Sequence, residues 1–501
     1  MSLTTFSKKQ TLEEYFSQFR TNVLGQGKIF ETPYGFKRMI YADWTASGRL
    51  YKAIEDNIRY SISPFVGNTH TETNVTGTSM TLAYHKSQTI IKDHVNANKN
   101  DVLIMTGSGM TGAVNKFQRI LGLKNAAPIE NEIDRPIVFV TNLEHHSNDI
   151  SWRETTADVE IIKLCKNGNV DLEHLQALLL EYKDRKYKIA AICGCSNVTG
   201  IQTPYHEVAK IIHEHGGKCF VDFACSAPYI QINMHPKDPM EQLDAVYFSM
   251  HKFLGGPGTP GVLIFNKDLY NSDVPDHPGG GTVQWVTPWH LQKYHDKDEV
   301  GGIEAREDGG TPPFLQTIKS ALAVKLKEKM GMAKMLEREE EILEMVFERL
   351  EKVPNLMILA GDVKKRLGVV SFIIKDLHYN LGVKLLNDRF GVQVRGGCAC
   401  AGPYGHCLLD ITQDISNSIR SEMMGGNLAV KPGWIRMSIH PVMSNEEINT
   451  VLDSIEALAA NFETWANDYK YNVQSNEFDF KNKNERKIQA ARVEEWFNVK
   501  M

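Results

Sequence analysis

Cysteine is scarce in this sequence: eight residues in 501, at 165, 193, 195, 219, 225, 398, 400 and 407. Several stand inside apolar, strand-like runs, so they are expected as reduced thiols of a cytoplasmic protein and not as disulfide staples. A basic excess is also missing. Lys and Arg total 56 against 61 Asp and Glu, a formal net charge of -5, which argues against nucleic acid or an anionic membrane surface as partner. Long apolar runs are absent too. Nowhere does the chain offer the roughly 18 apolar residues that a membrane span needs. Polar and charged residues interrupt every apolar stretch of the first thirty positions, so neither a secretory signal nor an anchor is expected there. There is no internal repeat, and the charged block near Lys481 to Lys487 reads as solvated surface.

What is present suffices for a large core. With 42% hydrophobic and 23% charged residues, a chain of this length is expected to be globular and to form two domains. From about residue 100, apolar β-branched runs alternate with helical stretches: Asp101 to Met105, Pro136 to Thr141, Val159 to Leu164, Ile189 to Cys193, Lys218 to Val221, Ala245 to Ser249 and Val262 to Phe265. Short runs without polar alternation fit strands covered on both faces, which makes this region one large α/β domain. After Pro312-Pro313 a long helical pattern runs from Leu315 to Leu350, followed by two apolar runs, Val369 to Ile374 and Trp434 to Ile439, and a polar helical tail. The expected division is residues 41–315 for the large domain, with 1–40 and 316–501 forming a smaller α+β domain with a C-terminal helical tail.

The chemistry-bearing residues stand at strand ends. In Ser249-Met250-His251-Lys252-Phe253-Leu254-Gly255-Gly256, a lysine follows a buried strand and precedes a glycine-rich turn. That is the carboxyl edge of the sheet, where open α/β folds bind ligands, and desolvation there frees an amine to attack a carbonyl. Lys252 alone would more often be a surface residue; its companions change that. Asp222 closes the apolar run Lys218 to Val221. A carboxylate buried there calls for a cationic partner, and the protonated ring nitrogen of pyridoxal 5'-phosphate (PLP) would supply one, completing an electron sink. Without that pairing, a turn or helix-cap Asp is an equal reading.

The run Thr106-Gly107-Ser108-Gly109-Met110-Thr111-Gly112 follows a strand and opens a helix, a cradle for phosphate. Which phosphate stays open on spelling alone, because Gly107, Gly109 and Gly112 also fit the G-x-G-x-x-G of dinucleotide folds. The stretch Lys124 to Asp134 shows no acidic residue closing a second strand to grip a ribose. In Glu144-His145-His146-Ser147 one imidazole could stack on a pyridine ring, and His146 reads as a solvent-facing loop histidine. No metal site is expected, since no further His or carboxylate shows zinc spacing and the paired cysteines are C-x-C.

Together these segments resemble the fold type I PLP enzymes of the class V aminotransferase and cysteine desulfurase family, and most of all its desulfurase and selenocysteine lyase branch. The resemblance spans about Tyr41 to Val442 and is sharpest at Ser249-x-His251-Lys252. It implies Lys252 as the Schiff-base lysine, Ser249 and His251 as phosphate ligands, Asp222 as partner of the ring nitrogen, and His145 as the stacking ring. It further implies Gly109, Met110 and Thr111 at the phosphate turn, Asn197 near the cofactor and the substrate carboxylate, and Arg436 as receiver of that carboxylate. Thr311, in Arg306-Glu307-Asp308-Gly309-Gly310-Thr311-Pro312, resembles the threonine that reaches the phosphate of a neighbouring subunit, which implies a homodimer.

In Val394-Arg395-Gly396-Gly397-Cys398-Ala399-Cys400-Ala401-Gly402-Pro403 the position of the sulfur-accepting cysteine is matched by Cys400, with Cys398 as an auxiliary thiol. The implied activity is desulfuration of L-cysteine or a close relative to alanine and an enzyme persulfide, with Lys252, Cys400 and His145 as catalytic residues, Lys252 and His145 moving protons at Cα and Cβ, and a sulfur-acceptor protein as a partner. Departures are equally visible. Cys225 stands where much of the branch has a glutamine, Cys398 and Ala399 replace histidines, and Asp410 to Lys431 is long and polar. They leave transamination, epimerisation or another β-elimination on a small amino acid as alternatives within the family. A nicotinamide-dependent Rossmann oxidoreductase and a thiol or metal-binding module using Cys193, Cys195, Cys398, Cys400 and His406 are the alternatives outside it.

Overall fold

All seven apolar runs are strands of one sheet in the computed structural model, which describes residues 10–499 except 70, 125, 166–167, 290–291 and 483–484. They are β1 (Asp101–Thr106), β2 (Ile137–Thr141), β3 (Asp158–Ile162), β4 (Lys188–Cys193), β5 (Lys218–Asp222), β6 (Ala245–Ser249) and β7 (Gly261–Asn266), in the spatial order β1-β7-β6-β5-β4-β2-β3. Strands β2 to β6 pair in parallel, whereas β7 is antiparallel to both β6 and β1. Side chains alternate between two apolar layers: Phe139, Ile192, Val221 and Phe248 face one, and Val140, Ala191, Phe220 and Tyr247 face the other. This period of two, with both faces covered, is why the runs show no polar alternation. The chain is thus α/β with a mostly parallel seven-stranded sheet.

Because β1 and β6 both oppose β7, β1 points the same way as β2, β4, β5 and β6. Thr106, Thr141, Cys193, Asp222 and Ser249 therefore end on one edge of the sheet. Two helices start there, α1 (Gly109–Ile120) and α2 (His146–Arg153).

The long helical pattern is broken into α3 (Phe314–Met330) and α4 (Met332–Leu350) at Gly331, whose φ of +78° is left-handed. Helix α4 buries Met335, Glu339, Ile342, Leu343, Val346 and Phe347, one face at helical spacing. A second, antiparallel sheet follows, β8 (Leu356–Ile358), β9 (Val369–Ile374), β10 (Arg395–Gly397) and β11 (Trp434–Ser438), ordered β8-β9-β11-β10. Between β10 and β11 lie α5 (Gly402–Leu408) and α6 (Gln413–Met424), and after β11 comes α7 (Asn445–Trp465), capped by a Ser444–Glu447 box.

The N-terminal segment joins this second layer, with Ile40–Tyr41 pairing parallel to Val392–Gln393. The tail carries the expected helix at Glu485–Trp496, with a hairpin before it that was not expected. Tyr469–Asn472 and Glu477–Phe480 form a hairpin, because aromatic residues at a spacing of two meet across it, Tyr469 with Phe480 at 5.4 Å and Tyr471 with Phe478 at 5.1 Å. Among the described residues no helix is long and apolar enough to cross a membrane.

Candidate active site

A cavity of about 400 Å³ opens at the sheet edge where the five strands end. Lys252 lines it from a single helical turn after β6. The chain must then double back: a Cβ on Gly256 would lie 1.9 Å from the Met250 carbonyl oxygen, so only glycine fits. Burial pushes the Lys252 amine below the ordinary lysine value, against the pull of Cys225 and Asp222. Asp222, buried at the end of β5, accepts one hydrogen bond, from the Ala224 N–H at 2.8 Å. Desolvation raises its carboxyl to about 6, tempered by that N–H and by Lys252.

At the other end of the cavity, Gly107 and Gly109 take φ of +51° and +62° to turn β1 into α1. A Cβ on Gly109 would meet Ser249 Oγ at 2.7 Å, and that oxygen accepts the Met110 N–H at 2.8 Å. Thr111 Oγ1 and Ser147 Oγ are 2.7 Å apart. His251 joins the lining, its imidazole lowered to about 4 by burial and then by Lys252. The dinucleotide spelling has a packing explanation here. Gly107 and Gly112 touch back to back, a Cβ on the first lying 3.2 Å from the second's Cα, and the strand after α1 ends in Thr141 instead of an acid.

His145 caps α2. Its Nδ1 accepts the Ser147 N–H at 3.1 Å, which puts the proton of the neutral ring on Nε2. Burial, then Lys252, lowers the ring to about 4. Asn197 donates from Nδ2 to the Ala399 carbonyl at 2.7 Å, and its buried Oδ1 has no partner. Arg436, also buried, donates to the Asn197 carbonyl at 3.1 Å and to Asp43 Oδ1 at 2.8 Å, leaving Nε without a partner. Arg395 faces Arg436 across β10 and β11 and holds the other Asp43 oxygen at 3.2 Å. Cys225 lies in the same lining; a hydrogen bond from Cys195 lowers its thiol against burial, with Lys252 and Arg436 adding to the effect.

Cys400 reaches the cavity on a loop in which two consecutive non-glycine residues are left-handed, Ala399 at φ +50° and Cys400 at φ +55°. Such conformations cost of order 1–3 kcal/mol each and persist only where neighbours impose them. The neighbours are Asn197 on the Ala399 carbonyl and His146 on the Cys400 carbonyl and the Gly402 N–H. The His146 N–H donates to the Cys400 carbonyl at 2.8 Å, and its Nε2 accepts the Gly402 N–H at 2.9 Å. His146 is therefore no solvent-facing loop residue, as its spelling suggested, but half of a clamp on the cysteine loop. Thr311 lies elsewhere: it is exposed, with Oγ1 at 3.4 Å from Asn68 Oδ1, and does not line its own chain's cavity.

The family profile described as aminotransferase class-V matches residues 40–451. The chain belongs to the class-V aminotransferase family. Among curated relatives, a probable cysteine desulfurase of Staphylococcus epidermidis is 28% identical over 379 residues, covering 75% of this chain and 86% of its own length. One of Halalkalibacterium halodurans is 28% identical over 378 residues, with 73% and 84% covered. Among solved structures, a cysteine desulfurase of Thermococcus onnurineus superposes with a TM-score of 0.70 at 22% identity, covering 89% of this chain and 98% of its own. One of Escherichia coli gives 0.68 at 19%, covering 89% and 98%. These two show the fold.

Class-V aminotransferases work with PLP, and the cavity of this member fits that group. It offers an amine with lowered basicity, a buried carboxyl with acceptor capacity to spare, and a glycine turn opening a helix, with Ser108, Gly109, Met110 and Thr111 in the lining. Lys252, Asp222 and the Gly109 to Thr111 turn would hold it, with His145 alongside. Two contributors carry no reading in the sequence, Asp43 and Arg395, and a third, His146, reads there as a loop residue. Arg395 stood in the quoted cysteine run, where a lone cation pointing at a ligand edge was the available signal; Asp43 and His146 carried none.

Proposed function

We propose that the protein is a PLP-dependent cysteine desulfurase that converts L-cysteine, or a close analogue, to alanine and leaves the sulfur on Cys400 as a persulfide. The observation that carries this reading is that Cys400 is held, in strained backbone geometry, on the wall of the cavity that Lys252 lines. Relatives named as probable cysteine desulfurases support it. When bound, PLP supplies an electron sink for negative charge developing on the substrate. Asp222 keeps a proton on the ring nitrogen. Arg436 and Arg395, aligned by Asp43, bind the substrate carboxylate, and the free Asn197 Oδ1 accepts a hydrogen bond from substrate or cofactor. The Lys252 amine takes the proton from Cα and returns it. The Cys400 thiolate attacks the substrate sulfur, the carbon–sulfur bond breaks with its electron pair left toward Cβ, a proton delivered to Cβ by Lys252 or His145 completes the methyl group, and alanine is released.

Breaking a buried charge pair costs about 3–5 kcal/mol, so Asp222→Ala is expected to lower kcat/KM for alanine release by roughly 10²–10³-fold. Steady-state alanine assays check this; unchanged turnover would exclude Asp222 from the reaction. The His146 clamp gives a smaller, pH-dependent effect. Its Nε2 accepts a hydrogen bond only while the ring is neutral, and burial lowers its folded pKa below the ordinary 6.5. The clamp is thus complete above that ordinary value and is lost as the pH falls through the lower folded one. His146→Ala keeps the backbone N–H and removes only the Nε2 hydrogen bond, so it is expected to slow turnover by up to about tenfold, the scale of one hydrogen bond, and to flatten the acid limb of the pH profile.

We further infer a homodimer. Thr311 is exposed and remote from its own cavity, and Trp285, Val286, Trp289 and Val300 are exposed apolar residues in the preceding segment. Light scattering is expected to give twice the 56.5 kDa chain mass. A sulfur-acceptor partner and a reducing, cytoplasmic setting follow from persulfide chemistry.

A further inference from the structure

The polar stretch between Cys400 and Arg436 contributes no wall to the Lys252 cavity beyond the cysteine loop itself. Its helix α6 buries none of its residues. It is fastened instead beside the cysteine loop: His406 donates from Nδ1 to the Gly402 carbonyl at 2.8 Å, which leaves Nε2 to accept the Ser416 hydroxyl at 2.9 Å. The result is a second cavity of about 410 Å³ between α5, α6 and the segment leading into β11. This volume falls within the roughly 300–1,000 Å³ of small-molecule sites. Ile419, Met423 and Trp434 give it apolar walls, Arg420 and Lys431 give it positive charge, and no Asp or Glu is among its lining residues.

Cys398 lines this second cavity, whereas Cys400 lines the first. Even a fully extended chain separates the Cα atoms of residues two apart by about 7 Å, and the left-handed turn at Ala399 and Cys400 shortens that. The two cysteines thus lie within the Cα range across which cysteine sulfurs bond. The first cavity, beside which Cys400 stands exposed, must hold cofactor and substrate, whereas the cavity that Cys398 lines is separate from it.

We propose that Cys398 draws the sulfur from Cys400 and passes it to a low-molecular-mass thiol carrying a carboxylate, bound in the second cavity. The proposal rests on the desulfuration reading above. In the first exchange the Cys398 thiolate attacks the outer sulfur of the Cys400 persulfide; the bond between that sulfur and Cys400 Sγ breaks, and Cys400 leaves as thiolate. In the second, the acceptor thiolate attacks the same sulfur on Cys398 and departs as its persulfide, with Cys398 regenerated as thiolate. Neither exchange changes the overall oxidation state, so no oxidant is consumed. Arg420 and Lys431 select the acceptor's carboxylate, and the apolar walls take its body.

The test uses the PLP-loaded full chain with sulfur-labelled cysteine and mercaptophenylacetate, dithiothreitol or cationic cysteamine as acceptor. Quenched, alkylated wild-type protein is expected to carry label on Cys398 as well as Cys400 by fragment mass spectrometry. Turnover with mercaptophenylacetate relative to dithiothreitol is expected to fall at least about tenfold in Cys398→Ser and in Arg420→Glu, the scale of one hydrogen bond to a charged group, and cysteamine is expected to be a poor acceptor for the wild type. Alanine release with label confined to Cys400, and a ratio unmoved in both variants, would overturn the relay while leaving desulfuration standing. Absence of alanine from the wild type would instead overturn the desulfuration reading on which the relay rests.

Discussion

Lys252→Ala is expected to lower alanine release from cysteine by at least about 10⁴-fold, the upper range for one positioned acid–base group, because the same amine would both anchor the cofactor and move the Cα proton. Loss of the anchor has its own readout. Borohydride reduction of the wild-type holoprotein followed by peptide mapping is expected to fix the cofactor on the peptide containing Lys252, and the variant is expected to yield no labelled peptide. The position explains the size of the effect. The amine is pushed below the ordinary lysine value by burial and sits in the cavity of Asp222 and Cys225, so a larger fraction of it is unprotonated near neutral pH than for a surface lysine. No other lysine lines the cavity among the described residues. Label on a different lysine, or full activity in the variant, would remove Lys252 from the chemistry.

How much of this is legible in the sequence depends on chain separation. The seven strands are readable because six are buried on both faces, the edge strand Asp158–Ile162 being half-buried, and each apolar run is local. Lys252, Asp222 and the Gly107 to Thr111 turn are readable for the same reason: each directly follows or closes such a run. The hairpin at Tyr469 to Phe480 is not, since its aromatic alternation is short and sits in a polar tail. Gly331 looks like a tolerated glycine in a helix, and only its left-handed φ shows that it ends one helix and begins another. The contacts that finish the site join residues far apart in the chain. Asp43 meets Arg436 across 393 positions and His146 meets Gly402 across 256, and no local periodicity encodes such pairings. Two adjacent histidines therefore read alike in sequence, yet one faces the cofactor cavity and its neighbour grips the cysteine loop.

That grip sets the terms for the second large effect. Cys400→Ala is expected to cut alanine release by at least about 10³-fold, as removal of a nucleophile does when its partners remain. Bound cofactor and its absorbance are expected to stay, since Cys400 is exposed on the cavity wall and is not among the residues that would hold the group. The combination separates two readings of the family. In transamination or epimerisation the thiol is a spectator, and the variant would turn over a small amino acid at the wild-type rate. In desulfuration the substrate sulfur must leave onto a thiol; Cys193, Cys195 and Cys225 also line that cavity but are buried, whereas Cys400 is the exposed one, and Cys398 lines the second cavity. The backbone argues for the second case. Two left-handed non-glycine residues in succession are costly, and glycine at 399 or 400 would relieve the strain without loss if the turn only had to close. Cys400→Gly should accordingly match the wild type in thermal stability or exceed it, and lose the activity with the alanine variant. A Cys400→Gly protein that still releases alanine from cysteine would return the reaction to the transaminase side of the family.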